Sequence, residues 1–128
     1  MEDPAYRLES DKPFDSVVES IEKETAGHNF RVLHVHDVQA TLAEKGFERG
    51  PLKIIEVCNA GFAHRALDKE NNVALFMPCK FVVGTEGIRT VVTLARPVMI
   101  AEMLPDAGLD ELAAEVESTL RKVMEASV

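Results

Sequence analysis

Apolar positions along the chain change their spacing several times, and each change marks an element. Phe14, Val17, Val18 and Ile21 fall at helical spacing, with Glu19, Glu22 and Lys23 between them. Pro13 suits a first turn and Gly27 a left-handed stop, so the spacing predicts a helix over about 13–26. Ala5–Glu9 before it is a short strand. Phe30–His36 carries β-branched and aromatic residues and predicts another strand. Asp37 can cap a short helix marked by Val38, Thr41 and Leu42, closed by Lys45 and Gly46. The stretch from Gly46 to Pro51 is a loop.

Leu52–Cys58 is apolar except for Lys53 and Glu56 and predicts a strand. Asn59 is a cap for a third helix, with Phe62, Ala63, Ala66 and Leu67 on one face. Asn71-Asn72 is a turn. Val73–Met77 and Cys79–Val83 predict strand, interrupted at Pro78, which cannot donate to a ladder. Gly84–Gly87 predicts a hairpin turn into a strand over Ile88–Leu94. Pro97 opens a short helical segment to about Met103, and Pro105, Asp106 and Gly108 interrupt it. The last helix is the clearest element: Leu109, Leu112, Val116, Leu120 and Val123 recur at steps of 3, 4, 4 and 3. Asp110 and Glu111 near its start and Arg121 and Lys122 near its end suit the helix dipole. Glu117 and Arg121 make an i,i+4 pair.

This order predicts an α+β fold. It is a two-layer sandwich, a mostly antiparallel sheet with helices packed on one face and a C-terminal amphipathic helix. Ile54, Val57, Leu75, Phe81 and Val92 supply the strand side of the expected core. Phe62, Leu67, Leu112, Val116 and Leu120 supply the helix side. A strand–helix–strand unit over 5–36 has a topological echo over 52–83, without residue-level repetition.

A chain of 128 residues fits one domain over 1–128. Asp+Glu outnumber Lys+Arg 22 to 14, so the net charge of −8 argues against a nucleic-acid partner. No Trp and one Tyr leave little for base stacking. The first fifteen residues are rich in charge and do not fit a secretory signal. The longest uncharged, mostly apolar stretch, Asn71–Cys79, is far below the roughly 18 residues that cross a bilayer. The expectation is a cytoplasmic protein without a membrane partner. Two cysteines make no disulfide framework.

Four features carry chemistry. Ile54, Glu56 and Cys58 share one strand face by period 2, so Glu56 is either solvated or a polar group on a pocket floor. Cys58-Asn59 puts a thiol beside a helix start, where N–H groups favour an anion or a thiolate; the plain alternative is a buried cysteine and an ordinary cap. Pro78-Cys79 places a second thiol at a strand position. His34 and His36 lie on one side of a strand, which can bind a transition metal but is more often a pair of solvated side chains. The cysteines lack zinc spacing, so neither a metal nor a cofactor is expected. Phosphate-loop, dinucleotide, nucleophile-elbow and H-E-x-x-H motifs are absent from the sequence.

Residues Arg31–Leu42, Ile54-Ile-Glu-Val-Cys-Asn-Ala60, Ala63-His-Arg-Ala-Leu67 and Met77-Pro-Cys79 together resemble the domain of unknown function 302 family, a bacterial and archaeal family of small α+β domains. The likeness runs from about Phe14 to Leu94. It implies the α+β fold and points to Glu56, Cys58, Asn59, Pro78 and Cys79 as the shared cluster, with no agreed reaction. Ala60 stands where the family often has proline, and His34 and His36 where it usually has other residues. Three functions follow as alternatives. The favoured one binds a small molecule or anion in a polar pocket at the Cys58-Asn59 junction. The others are a thiol-based redox or sulfur-handling protein using Cys58 and Cys79, and a non-catalytic accessory or homodimerising protein.

Overall fold

The structure is a computed structural model and describes residues 3–128. Strand β1 (Ala5–Ser10) leads into helix α1 (Phe14–Gly27), then β2 (Arg31–Asp37) and the short α2 (Val38–Ala43). Strand β3 (Leu52–Cys58) and helix α3 (Ala60–Lys69) precede a 3₁₀ segment over Asn71–Phe76. Strands β4 (Cys79–Glu86) and β5 (Arg89–Ala95) follow, then α4 (Val98–Met103), a 3₁₀ turn over Pro105–Ala107, and α5 (Asp110–Ser127).

The five strands form one sheet in the order β1-β5-β4-β3-β2, every neighbouring pair antiparallel. The fold is therefore α+β. Register decides the faces. Tyr6, Leu94, Phe81, Ile55 and Val35 lie in one row across the sheet, and Leu8, Val92, Val83 and Lys53 in the second row beyond it. Both rows point to the same face, because two residues separate them. The long helices α1 and α5 cover that face. Val17, Ile21, Leu120 and Val123 meet Ile55, Val57, Phe81 and Leu94 in one continuous core. The opposite, open face carries the intervening rows, which include His36, Ile54, Val82, Thr93 and Arg7.

Most expected elements form where the spacing placed them, and Leu112, Val116 and Leu120 are buried as expected. Three readings need correction. Val73–Met77 is not strand. β3 ends at Cys58 and its ladder to β4 ends at Val57–Cys79, so residues 73–77 have no strand beside them. They close a 3₁₀ segment instead, whose first turn Glu70 caps by accepting from the Asn72 N–H at 2.9 Å. A three-residue period puts Val73 and Phe76 on one side and turns Leu75 outward, 77% exposed rather than in the core. Ile54 also lies outside the core, on the open face.

The hairpin turn is tighter than expected. Glu86 pairs with Arg89, so only Gly87 and Ile88 form the loop, and Gly87 supplies the positive φ (+61°) that its first position requires. Gly84 stays in the strand, opposite Leu52. A Cβ there would lie 3.1 Å from Leu52 Cδ1, so its missing side chain lets Leu52 lie across it.

The topological echo does not hold. β3 and β4 are hydrogen-bonded neighbours, whereas β1 and β2 form the two opposite edges of the sheet.

Candidate functional site

The strand-to-helix step after β3 is fixed by one side chain. Asn59 Oδ1 accepts from the Phe62 N–H at 3.0 Å, closing the first turn of α3. Its amide Nδ2 donates to the Asn29 carbonyl at 2.9 Å, tying α3 to the turn between α1 and β2. Asn29 holds the left-handed conformation there, φ +65°. That long-range bond is invisible to local pattern. The anchor places the apolar face of α3 over the end of the sheet, and Phe62 meets Phe30 with ring centroids 5.9 Å apart.

A cavity of about 80 Å³ lies under α3, between the ends of β3 and β4, the 3₁₀ segment, α4 and α5. Cys58, Asn59, Pro78 and Cys79 all border it, and Glu56 does not. The remaining wall is apolar, with Phe30, Phe62, Val73, Met77, Ile100 and Leu112 prominent in it. No charged side chain lines it, and the one amide present is oriented by the two bonds just described. The expected polar pocket is thus an apolar one. Phe76, Met77 and Ile100 were not singled out from the sequence. Phe76 and Met77 lay inside the supposed strand, where helical contacts to α5 were not in view.

Glu56 belongs to the open face. It pairs across β3–β2 with His34 and across β3–β4 with Lys80, and its Oε1 lies 3.0 Å from His36 Nε2. Cys58 follows Glu56 on the same strand face by alternation. Cys79 pairs with Val57, so it sits diagonal to Cys58 and faces the core side. Both cysteines are free. Diagonal neighbours whose Cβ vectors point to opposite faces do not meet disulfide geometry without backbone movement. The helix start does not activate the thiols either. Burial pushes the Cys58 thiol up from its ordinary value. Burial, followed by proximity to Cys58, pushes Cys79 up to about 11, with Lys80 partly offsetting the rise. At neutral pH both are thiols, which leaves them poor nucleophiles. Pro78 lies between Met77 and Cys79 on the cavity wall and is joined to Met77 by a cis peptide bond.

The Cys79 shift has a measurable consequence. The folded chain keeps this proton to about pH 11, whereas the unfolded thiol releases it near 9.0. Between these values the folded state binds more protons, so stability is full below about pH 9 and falls as pH rises toward 11. Two pKa units correspond to a loss of about 2–3 kcal/mol. Denaturant titrations of the wild type and Cys79→Ala at pH 8 and pH 11 check it. The wild type is expected to lose this much more than the variant; an equal loss in both would contradict the assignment.

Family comparison agrees with the geometry. The family model described as "Domain of unknown function DUF302" matches residues 6–127. The chain belongs to the DUF302 family. A solved structure, the crystal structure of an uncharacterized conserved DUF302 protein from Bacillus stearothermophilus, is 31% identical to it. The two superpose with a TM-score of 0.92 over 98% of each chain. The DUF302 fold thus carries the sheet order and the helices described above. No curated protein matches the chain. Among the described residues no helix is long and apolar enough to cross a membrane.

Proposed function

We propose that this DUF302 chain binds a small, neutral, predominantly apolar molecule in the cavity beneath α3. One observation carries the reading: a partly open cavity whose wall is almost wholly apolar, with no charged side chain and with its one side-chain amide holding the α3 cap. Apolar cavities stay dry and take up small apolar guests, because an unpaired polar group is costly to bury there. An anion finds no cation in the wall, and the Asn59 amide is held by its bonds to Asn29 and Phe62. Cys58 and Cys79 serve as soft, polarisable lining in this reading rather than as nucleophiles.

Amide chemical shifts of the full chain, followed by NMR during titration with benzene and, separately, with inorganic phosphate, test the proposal. Benzene is expected to move the Phe62, Cys79 and Leu112 amides saturably. Ala66→Leu, which fills the cavity, is expected to abolish the response while the fold persists by circular dichroism. Shifts confined to Ala60–Phe62 on adding phosphate, with none from benzene, would return the site to anion binding. No saturable shift from either would overturn ligand binding in this cavity.

A further inference from the structure

On the open face, away from the cavity, β2 and β3 bring two imidazoles and a carboxylate together. His34 and His36 alternate onto the same face, and their rings meet edge to face with centroids 4.3 Å apart. A bulge at Leu33 sets which face they take, since Val32 pairs with Val57 on the core side and His34 with Glu56 on the open side. The sequence alone favours two solvated histidines. The contact to Glu56 changes that reading.

Glu56 Oε1 lies 3.0 Å from His36 Nε2. An ionised carboxylate can only accept, so His36 donates through Nε2–H and keeps its Nδ1 lone pair free. A carboxylate that takes the far N–H of an imidazole fixes its tautomer and orientation, the arrangement found behind metal-bound histidines. The Glu56 side chain is 22% exposed, while the His36 side chain is 45% exposed and accessible to solutes. Imidazole suits Zn²⁺, Ni²⁺ and Cu²⁺.

We propose that His34 and His36 form a two-imidazole chelate for a first-row divalent metal ion on the open sheet face, with Glu56 as the positioning residue for His36. Among the described residues no group of three or more His, Cys, Asp or Glu side chains is arranged to hold a metal. The chelate therefore uses two protein ligands, and water completes the coordination shell. Lys80 pairs with Glu56 across β3–β4, and its like charge limits the affinity for a cation.

The other two histidines provide internal controls. His28 lies 3.9 Å from Glu24 Oε2 and His64 lies 3.4 Å from Asp68 Oδ2. Each has a carboxylate one helical turn away but no second imidazole at hand, so neither offers the two-imidazole pair.

Calorimetric titration of the full chain with Zn²⁺, repeated with Co²⁺ under visible absorption, tests the site. One saturable equivalent is expected. His34→Ala and His36→Ala should each weaken it at least about tenfold, since the second ligand acts within the same molecule. Glu56→Gln should weaken it about 10–100-fold while leaving the stoichiometry unchanged. His28→Ala and His64→Ala should bind like wild type. The Co²⁺ spectrum should lack thiolate charge-transfer absorption. Unchanged affinity in His36→Ala, a thiolate band, or no saturable binding below about 1 mM would overturn the proposal. All the histidines lie at the surface or partly exposed, so these variants remain folded, and thermal melts verify it.

Discussion

Phe81→Ala is expected to remove about 3–5 kcal/mol of folding stability, the range for deleting a large buried aromatic. Phe81 lies in the middle strand of the sheet, fully buried, between Leu94 on one side and Ile55 on the other. Its ring occupies the row that α1 and α5 cover, so its loss opens a void that no single neighbour can fill. Close-packed interiors relax only partly around such voids. Equilibrium urea unfolding measures the effect. A change below about 1 kcal/mol would mean that the two layers are not packed through this row.

Glu117→Ala is expected to cost about 3 kcal/mol, the lower end of the range for breaking a buried ion pair. The side chain is only 8% exposed. It accepts from Arg96 Nε at 3.1 Å and from the Val98 N–H at 3.4 Å, and pairs with Arg121 Nη2 at 3.1 Å. The carboxylate therefore joins the end of β5, the start of α4 and the last turns of α5. Arg121 stacks over the Tyr6 ring, 4.1 Å from its centroid, and so extends the clasp to β1. Removing Glu117 leaves the Val98 N–H and Arg121 without this acceptor, while partial exposure of Arg121 tempers the penalty. Denaturation of Glu117→Ala beside Glu115→Ala, a control on the exposed side of the same helix, separates the clasp from ordinary helix effects. Equal losses in the two would refute it.

The clasp also marks the limit of reading the chain residue by residue. Spacing identified Glu117 and Arg121 as a helical pair, a contact worth a few tenths of a kcal/mol at a surface. Only the fold brings Arg96 from 21 positions away and buries the carboxylate. The same division runs through the rest. The stripe from Leu109 to Val123 and the cap at Asn59 are local physics, and both stand as read. The segment Val73–Met77 has strand-like composition, but strands need a neighbour, and the end of β3 supplies none. Glu56 and Cys58 share a face because the period is local. Cys79 faces the other way because register between strands is not. Grouping the five candidate residues thus named four that border one cavity and one, Glu56, that turns to His36 on the open face instead.

The position of β1 at the sheet edge sets an order of events during biosynthesis. β1 pairs with β5 alone, from Ala5–Ala95 to Ser10–Thr90, so its partner lies 80–90 residues further along the chain. At about 5–20 residues per second, a ribosome needs roughly 4–18 s to add that partner after β1 is made. Throughout that interval Tyr6 and Leu8 have no sheet to join, while β2, β3 and β4 can already zip through closer pairings. Closing so long a loop is entropically slow, so β1 is the last of these five strands to dock. A nascent chain arrested before residue 89 therefore carries an incomplete sheet with β4 as its bare edge, a row of unpaired backbone groups open to pairing with another chain.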